Sequence, residues 1–152
     1  MKLSEAQRLA VSLMREHGLA QMGWTFGWDR ARRRLGACHH DKRLISLSVP
    51  LTIDDTDDAR VRNTILHEIA HALVGAEHGH DDVWRRKARE IGCNAEECGK
   101  GGTRLPFRYI GQCPTCGYEA HRDRRAATRL YHLPCMKTLG EVDAVVIQWR
   151  RA

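Results

Sequence analysis

Apolar positions recur every three to four residues near the start of the chain: Ala6, Leu9, Ala10, Leu13 and Met14 form one stripe. That period predicts a helix over residues 4–17 with one buried face. Ser4 with Gln7 three residues on reads as a capping box, and Gly18 suits the left-handed exit. From Trp24 the period falls to two. Trp24, Phe26 and Trp28 alternate with polar positions, as do Leu35 and Ala37, and then Ile45, Leu47 and Val49. Polar breaks at Asp29–Arg30 and His40–Lys42 divide this stretch into three strands, predicted as an antiparallel meander that Pro50 closes. The helical period returns in DDTDDARVRNTILHEIAHALVGAEHG, with Thr56 or a neighbouring Asp as cap. A shorter helix starts at Asp81 or Asp82, carries Trp84, Ala88 and Ile91 on one face, and ends at Gly92. GKGGTRLP, residues 99–106, reads as a linker. Short strands around two cysteine-bearing turns follow. The predicted class is α+β, with one domain over 1–98 and a small β module over 107–152.

The stretch HEIAHALVGAEHGHDDVW, residues 67–84, carries the chemistry. At about 100° per residue, His67 and His71 lie within roughly 40° of each other on the helix. Val61, Ile65, Ile69, Ala72, Leu73 and Ala76 fall on the opposite side. Two imidazoles one turn apart on a backed helix are what zinc binding requires. Glu68 points away from the pair, yet can reach a water held by the metal and accept its proton, the division of labour of a zinc peptidase. A catalytic zinc needs a third protein ligand and an open position. The spacing of metzincins would put a histidine where Glu77 stands. His78 could continue the helix, whereas a turn at Gly79 would bring His80 back to the metal. Glu77, Asp81 and Asp82 are the other candidates.

Downstream, Cys113 and Cys116 flank Pro114 in QCPTCGY, a zinc-knuckle pattern. After fifteen intervening residues comes His132-Leu-Pro-Cys135. Cys113, Cys116, His132 and Cys135 therefore form a candidate closed structural zinc site, with His121 as a rival ligand. A module this small needs such a staple to fold. Cys93 and Cys98 read as reduced buried thiols and Cys38 as structural. Two zincs are expected, one catalytic and one structural.

Charge adds a partner. Residues 1–99 hold fifteen Lys/Arg and fifteen Asp/Glu, whereas residues 100–152 hold ten and four, so the net +6 lies in the last third. Arg122, Arg124, Arg125 and Arg129 fall between the two ligand pairs, and Tyr118 and Tyr131 flank them. Basic side chains interleaved with aromatics suit DNA, above all single-stranded or distorted DNA. No apolar run approaches membrane-spanning length and no export signal is read, so no membrane partner and a cytoplasmic setting are expected.

HEIAHALVGAEHGHDDVWRRKAREIGC resembles the SprT/Spartan family of zinc metallopeptidases. In that family HExxH is followed by a Gly-His pair that opens the next helix, here Gly79-His80, and by an aromatic four residues later, here Trp84. RARRRLGACHHDKRLISLSVPL is similar to the strands that precede the family's active-site helix, and the order of elements matches along nearly the whole chain. The resemblance implies His80 as third ligand, a zinc endopeptidase, and substrates that are DNA-bound or DNA-crosslinked proteins. His132 departs from the four-cysteine ribbon usual there. Two alternatives remain open: a DNA-binding zinc protein without proteolysis, and a peptidase with no nucleic-acid role.

Overall fold

A computed structural model describes residues 1–95, 105–139 and 146–152, with the backbone alone described at residue 139. The chain divides into two compact units, Met1–Leu105 and Pro106–Ala152. Cys98 and most of the expected linker lie outside the described residues.

The first unit opens with α1 (Leu3–Glu16). Its start differs from the expected Ser4–Gln7 box: the Lys2 backbone N–H donates to the Glu5 carboxylate at 3.1 Å. Gln7 instead accepts the Trp28 indole N–H at 3.2 Å. Three strands follow, β1 (Thr25–Asp29), β2 (Gly36–His39) and β3 (Leu44–Ser48), with a 3-10 turn at His40–Lys42 between the last two.

The sheet is not the predicted meander. Its order is β1-β3-β2, with β3 parallel to β1 and antiparallel to β2. The loop over residues 30–35 therefore crosses the end of β3 instead of making a hairpin. Two strand spacings amount to about 10 Å, well within the reach of six residues. Ser48 fixes the crossing: its hydroxyl donates to the Ala31 carbonyl at 2.6 Å and its N–H to the Leu35 carbonyl at 2.8 Å. Alternation alone reports which face a residue takes and says nothing about which strands are neighbours.

Pro50 closes β3, but it does so inside the first turn of a short helix, α2 (Val49–Asp54), where its missing N–H costs nothing. The Ser48 hydroxyl also accepts the Leu51 N–H of that turn at 3.3 Å. Next comes α3 (Asp58–Val74), capped by Asp57, whose carboxylate accepts the N–H groups of Ala59 and Arg60. Every residue of α3 from Thr64 to Ala70 is buried. The sequence predicted one buried face. Instead α1, the sheet and α4 (Asp82–Glu90) cover the helix around its middle. Ile65, Leu66 and Ile69 are fully buried, each worth about 1.5–3 kcal/mol.

The second unit holds a three-stranded antiparallel sheet, β4 (Tyr109–Gln112), β5 (Glu119–Arg122) and β6 (Gln148–Arg151), in the order β5-β4-β6. A short helix, α5 (Leu133–Leu139), lies between β5 and β6. Among the described residues of this unit only Cys113 and Ile147 are buried apolar side chains, and Gly111, also buried, lies against Ile147. Among the described residues no helix is long and apolar enough to cross a membrane.

Ser48 joins the loop, the sheet and α2 through one buried hydroxyl. Ser48→Ala should destabilise the protein by about 1–3 kcal/mol, read from its denaturant midpoint. A change below about 0.5 kcal/mol, the usual range at the surface, would mean that the crossing is held otherwise.

Candidate metal centre and catalytic site

Gly75 ends α3 with φ +100°, and its N–H bonds to the His71 carbonyl at 3.1 Å. A side chain there would be strained in φ and would strike the Glu77 carboxylate. The helix thus stops sooner than expected. Ala76 is exposed beyond it and His78 is not helical. The chain turns back, and Asp81 caps α4 by accepting the Trp84 N–H at 2.9 Å. The other carboxylate oxygen of Asp81 meets His78 Nδ1 at 2.8 Å, which engages His78 in the cap. Asp82 lies in the first turn of α4, where it accepts from Arg85 at 3.3 Å. Glu77 is exposed.

That turn brings His80 to the two imidazoles on α3. His67 Nε2 and His80 Nε2 are 3.0 Å apart, His71 and His80 3.1 Å, and His67 and His71 3.3 Å. Such a triangle cannot be held by hydrogen bonds. Each Nε2 offers either one N–H or one lone pair, so three edges cannot all be satisfied. Burial, with the charges of His80 and His40 next in weight, pushes His71 down to about 4, so a shared proton is disfavoured as well. Three nitrogens on a tetrahedral zinc at 2.0–2.1 Å would stand about 3.3 Å apart. The donor set therefore fits a cation, and this group could hold a metal ion.

Trp84 fixes the three rings. Its fully buried indole stacks on His71 at 26° with centroids 5.1 Å apart. It meets His67 at 4.6 Å and His80 at 4.5 Å, more steeply inclined. The sequence marked Trp84 as a core residue of its helix and as part of a family pattern. Its contact with all three ligands depends on the turn that precedes it.

Glu68 is buried beside this group, against β2. Gly36 makes room for it: a Cβ at that position would stand 2.9 Å from Glu68 Cγ and 3.0 Å from Oε1. Burial pushes the carboxyl up to about 7, while the charge on Arg34 and the N–H of Cys38 pull it back. Cys38 is half-buried with its Sγ 3.5 Å from His40 Nε2, and burial together with the Glu68 charge raises the thiol to about 12. Gly36, Cys38 and Arg34 form the surroundings of Glu68, and they are not visible in the HExxH pattern because they lie on β2 and the loop before it. Cys93 is buried with its Sγ 3.8 Å from the Asn63 carbonyl, a packed thiol.

The SprT-like family model matches residues 6–106, two thirds of the chain and the whole of the site just described. This chain belongs to the SprT-like family. A SprT-like protein of Lactiplantibacillus plantarum is 32% identical over 101 residues, 63% of this chain and 67% of that protein. No solved structure matches the chain significantly.

Beyond the SprT-like segment, the second unit gathers Cys113, Cys116, His132 and Cys135, which could also hold a metal ion. His132 Nδ1 is 3.3 Å from Cys116 Sγ and 3.1 Å from Cys135 Sγ. The turn closes with the Gly117 N–H on the Cys113 carbonyl and the Cys113 N–H on the Tyr118 carbonyl, both at 2.9 Å. His121 stays outside the group, on β5, tilted against Phe107. Tyr118 stacks on His132 at 4.5 Å and 12° while remaining half exposed. Tyr131, Arg124, Arg125 and Arg129 are exposed. The pairing register places Tyr109, Arg122, Trp149 and Arg151 on one face of the sheet, with the Arg122 guanidinium 5.7 Å from the Trp149 ring. Tyr109, Trp149 and Arg151 went unmarked in the sequence because β6 is remote in the chain from the β4 and β5 strands that it joins.

Metal content tests both groups. The purified protein should carry two equivalents, falling to one in His80→Ala and to one in Cys113→Ala. His78→Ala should keep two, and a loss there would shift the third ligand to His78.

Proposed function

We propose that this SprT-like protein is a zinc-dependent endopeptidase that acts on DNA-bound or DNA-crosslinked proteins. The observation that carries the hydrolytic part is the convergence of three Nε2 atoms within 3.3 Å beside one buried carboxylate. Membership of the SprT-like family supports it.

His67, His71 and His80 would hold the zinc, and Trp84 keeps their rings in place. When bound, zinc supplies Lewis acidity at the reacting carbonyl and eases deprotonation of water. The Glu68 carboxylate takes the proton of the attacking water and later delivers it to the leaving amine nitrogen. Its burial suits both steps, because a carboxyl that titrates close to neutrality can give up a proton as well as accept one. Gly36 leaves the space in which the carboxylate moves. Cys113, Cys116, His132 and Cys135 would hold a second, structural zinc, a closed set that leaves no position for substrate.

The DNA part rests on the second unit. Trp149, Tyr109, Arg122 and Arg151 share a face on which a base can stack while guanidinium groups meet the backbone. Arg124, Arg125 and Arg129, in the exposed segment after β5, add to its positive charge.

Glu68→Gln should retain both metals and lower protein cleavage by about 10²–10⁴-fold. Equal cleavage by the variant would end the enzyme reading and leave a DNA-binding zinc protein. Cleavage measured with and without single- and double-stranded DNA should rise with DNA. No stimulation together with no gel shift would leave a peptidase without a nucleic-acid role.

A further inference from the structure

Glu68 handles the attacking water and its proton, but the attacked carbonyl oxygen must also gain negative charge. A fixed donor aimed at such an oxygen is usually the largest single contribution to catalysis. The edge strand β2 leads to a candidate. Its contacts advance along α3 step by step. A Cβ at Gly36 would strike Thr64 Cγ2 and Glu68 Cγ. The Cys38 N–H bonds the Glu68 carboxylate. Two residues on, His40 is near enough for its charge to be felt at His71. Four strand residues rise about 13 Å and seven helix residues about 10 Å, so strand and helix keep level. His40 therefore arrives beside the three imidazoles, past Glu68.

The His40 ring is half-buried at the start of the 3-10 turn and is fixed from two sides. Trp24, itself buried, meets it edge-on at 5.5 Å and 85°. Cys38 Sγ stands 3.5 Å from its Nε2. Burial and the Glu68 charge raise that thiol to about 12, so the S–H donates and Nε2 accepts. The proton of the neutral ring then lies on Nδ1. Among the described residues Nδ1 has no partner, and it is not one of the buried orphan atoms, so it is open to a ligand. His40 also lies outside the group of donors that could hold the metal. It is thus a nearby imidazole with a set tautomer and an unengaged N–H, and not a fourth ligand. Arg34, at the Gly36 end of the same edge, is engaged by Asp29. An oxygen gaining negative charge is better placed away from the Glu68 carboxylate, which favours the His40 end.

We propose that His40 is a catalytic residue of this site: its Nδ1–H donates a hydrogen bond to the oxygen of the scissile carbonyl as that oxygen becomes negative. The inference rests on the endopeptidase reading given above and deepens it. The water oxygen adds to the carbonyl carbon, its proton passes to Glu68, and one electron pair of the C=O double bond moves onto oxygen. His40 keeps its proton throughout and stabilises that oxygen. When the pair returns, the C–N bond breaks and Glu68 passes its proton to the leaving nitrogen. Trp24 and Cys38 hold the ring before the reaction begins, so the donor needs little reorganisation as charge develops.

The test is cleavage of fluorogenic casein by the metal-loaded protein. His40→Ala should lower kcat about 10²–10³-fold, the range for loss of one such donor, while KM stays close to wild type. His40→Gln, which keeps an N–H donor, should recover part of that loss. Binding gives a second readout. A phosphinic peptide, built on a casein sequence that is cleaved, places a charged tetrahedral oxygen where the scissile amide was. Its Kd should rise about tenfold or more in His40→Ala, as for loss of a hydrogen bond to a charged group. The parent peptide, measured with Glu68→Gln in both backgrounds, should bind equally, and metal content should stay at two equivalents. Wild-type kcat in His40→Ala would overturn the proposal. Equal weakening of the phosphinic and parent peptides, or loss of metal, would also overturn it by making His40 a structural residue. If Glu68→Gln abolishes cleavage and His40→Ala does not lower it, the role of His40 falls alone. If wild type does not cleave, or Glu68→Gln cleaves equally, the endopeptidase reading falls and the role of His40 falls with it.

Discussion

Three imidazole nitrogens stand within 3.3 Å of one another, although one of them comes from beyond the end of the helix that bears the other two. Two ligands on adjacent turns are readily supplied by any helix, but the third must return from outside it. Gly75 makes the return possible by adopting a φ that side chains resist, and Asp81 ends the return by starting the next helix. The same carboxylate engages His78, so the rival imidazole is tied up by the cap that delivers His80. Trp84 lies in the first turn after that cap, and its indole touches all three rings. Changing the exit angle of α3 would therefore displace a ligand and its packing partner together.

The placement of β3 between β1 and β2 has a similar reach. It leaves β2 bonded on one side to β3 and turned on the other toward α3, where Gly36 lies against Glu68. A meander would have put β2 in the middle of the sheet and β3 at that edge instead. The Glu68 carboxyl then experiences opposing effects: burial disfavours its charge, while Arg34 and the Cys38 N–H favour it. Burial is the larger, and the balance near 7 lets the group serve as base and acid in turn in the proposed reaction. The loop that crosses β3 also carries Arg34, so one topological choice shapes the surroundings of Glu68.

The sequence made the chemistry legible more readily than the geometry around it. His67, Glu68 and His71 follow from helical phase, because a period of 3.6 converts spacing directly into direction. The Cys-x-x-Cys turn is equally local. His80 could be separated from His78 only by likeness to a family, since the deciding feature is the φ of Gly75, four residues after His71. The all-round burial of α3 escaped the pattern because Thr64, His67 and Glu68 are polar residues that are nevertheless buried. Strand order escaped it too, since alternation is identical in a meander and in β1-β3-β2. Trp149 and Arg122 meet through pairing of β4 with both β5 and β6, a contact that no local window contains.

The two histidine- and cysteine-bearing groups differ in a way that assigns their proposed roles without reference to any relative. The first offers three nitrogen donors on elements of a well-packed core, with a buried carboxylate beside them. That core does not need the metal to exist, because Ile65, Leu66, Ile69 and Trp84 already bury it. The second offers four donors, and its unit has little apolar interior among the described residues. There the metal would supply folding energy that side-chain burial does not. Removal of metal should thus have unequal consequences. Losing it from the first unit would leave a folded scaffold whose three imidazoles are no longer held together, while losing it from the second would remove the cross-link between the β4–β5 turn and the start of α5. A fold that can spare its metal can leave one coordination position open for chemistry, and a fold that cannot must close the site.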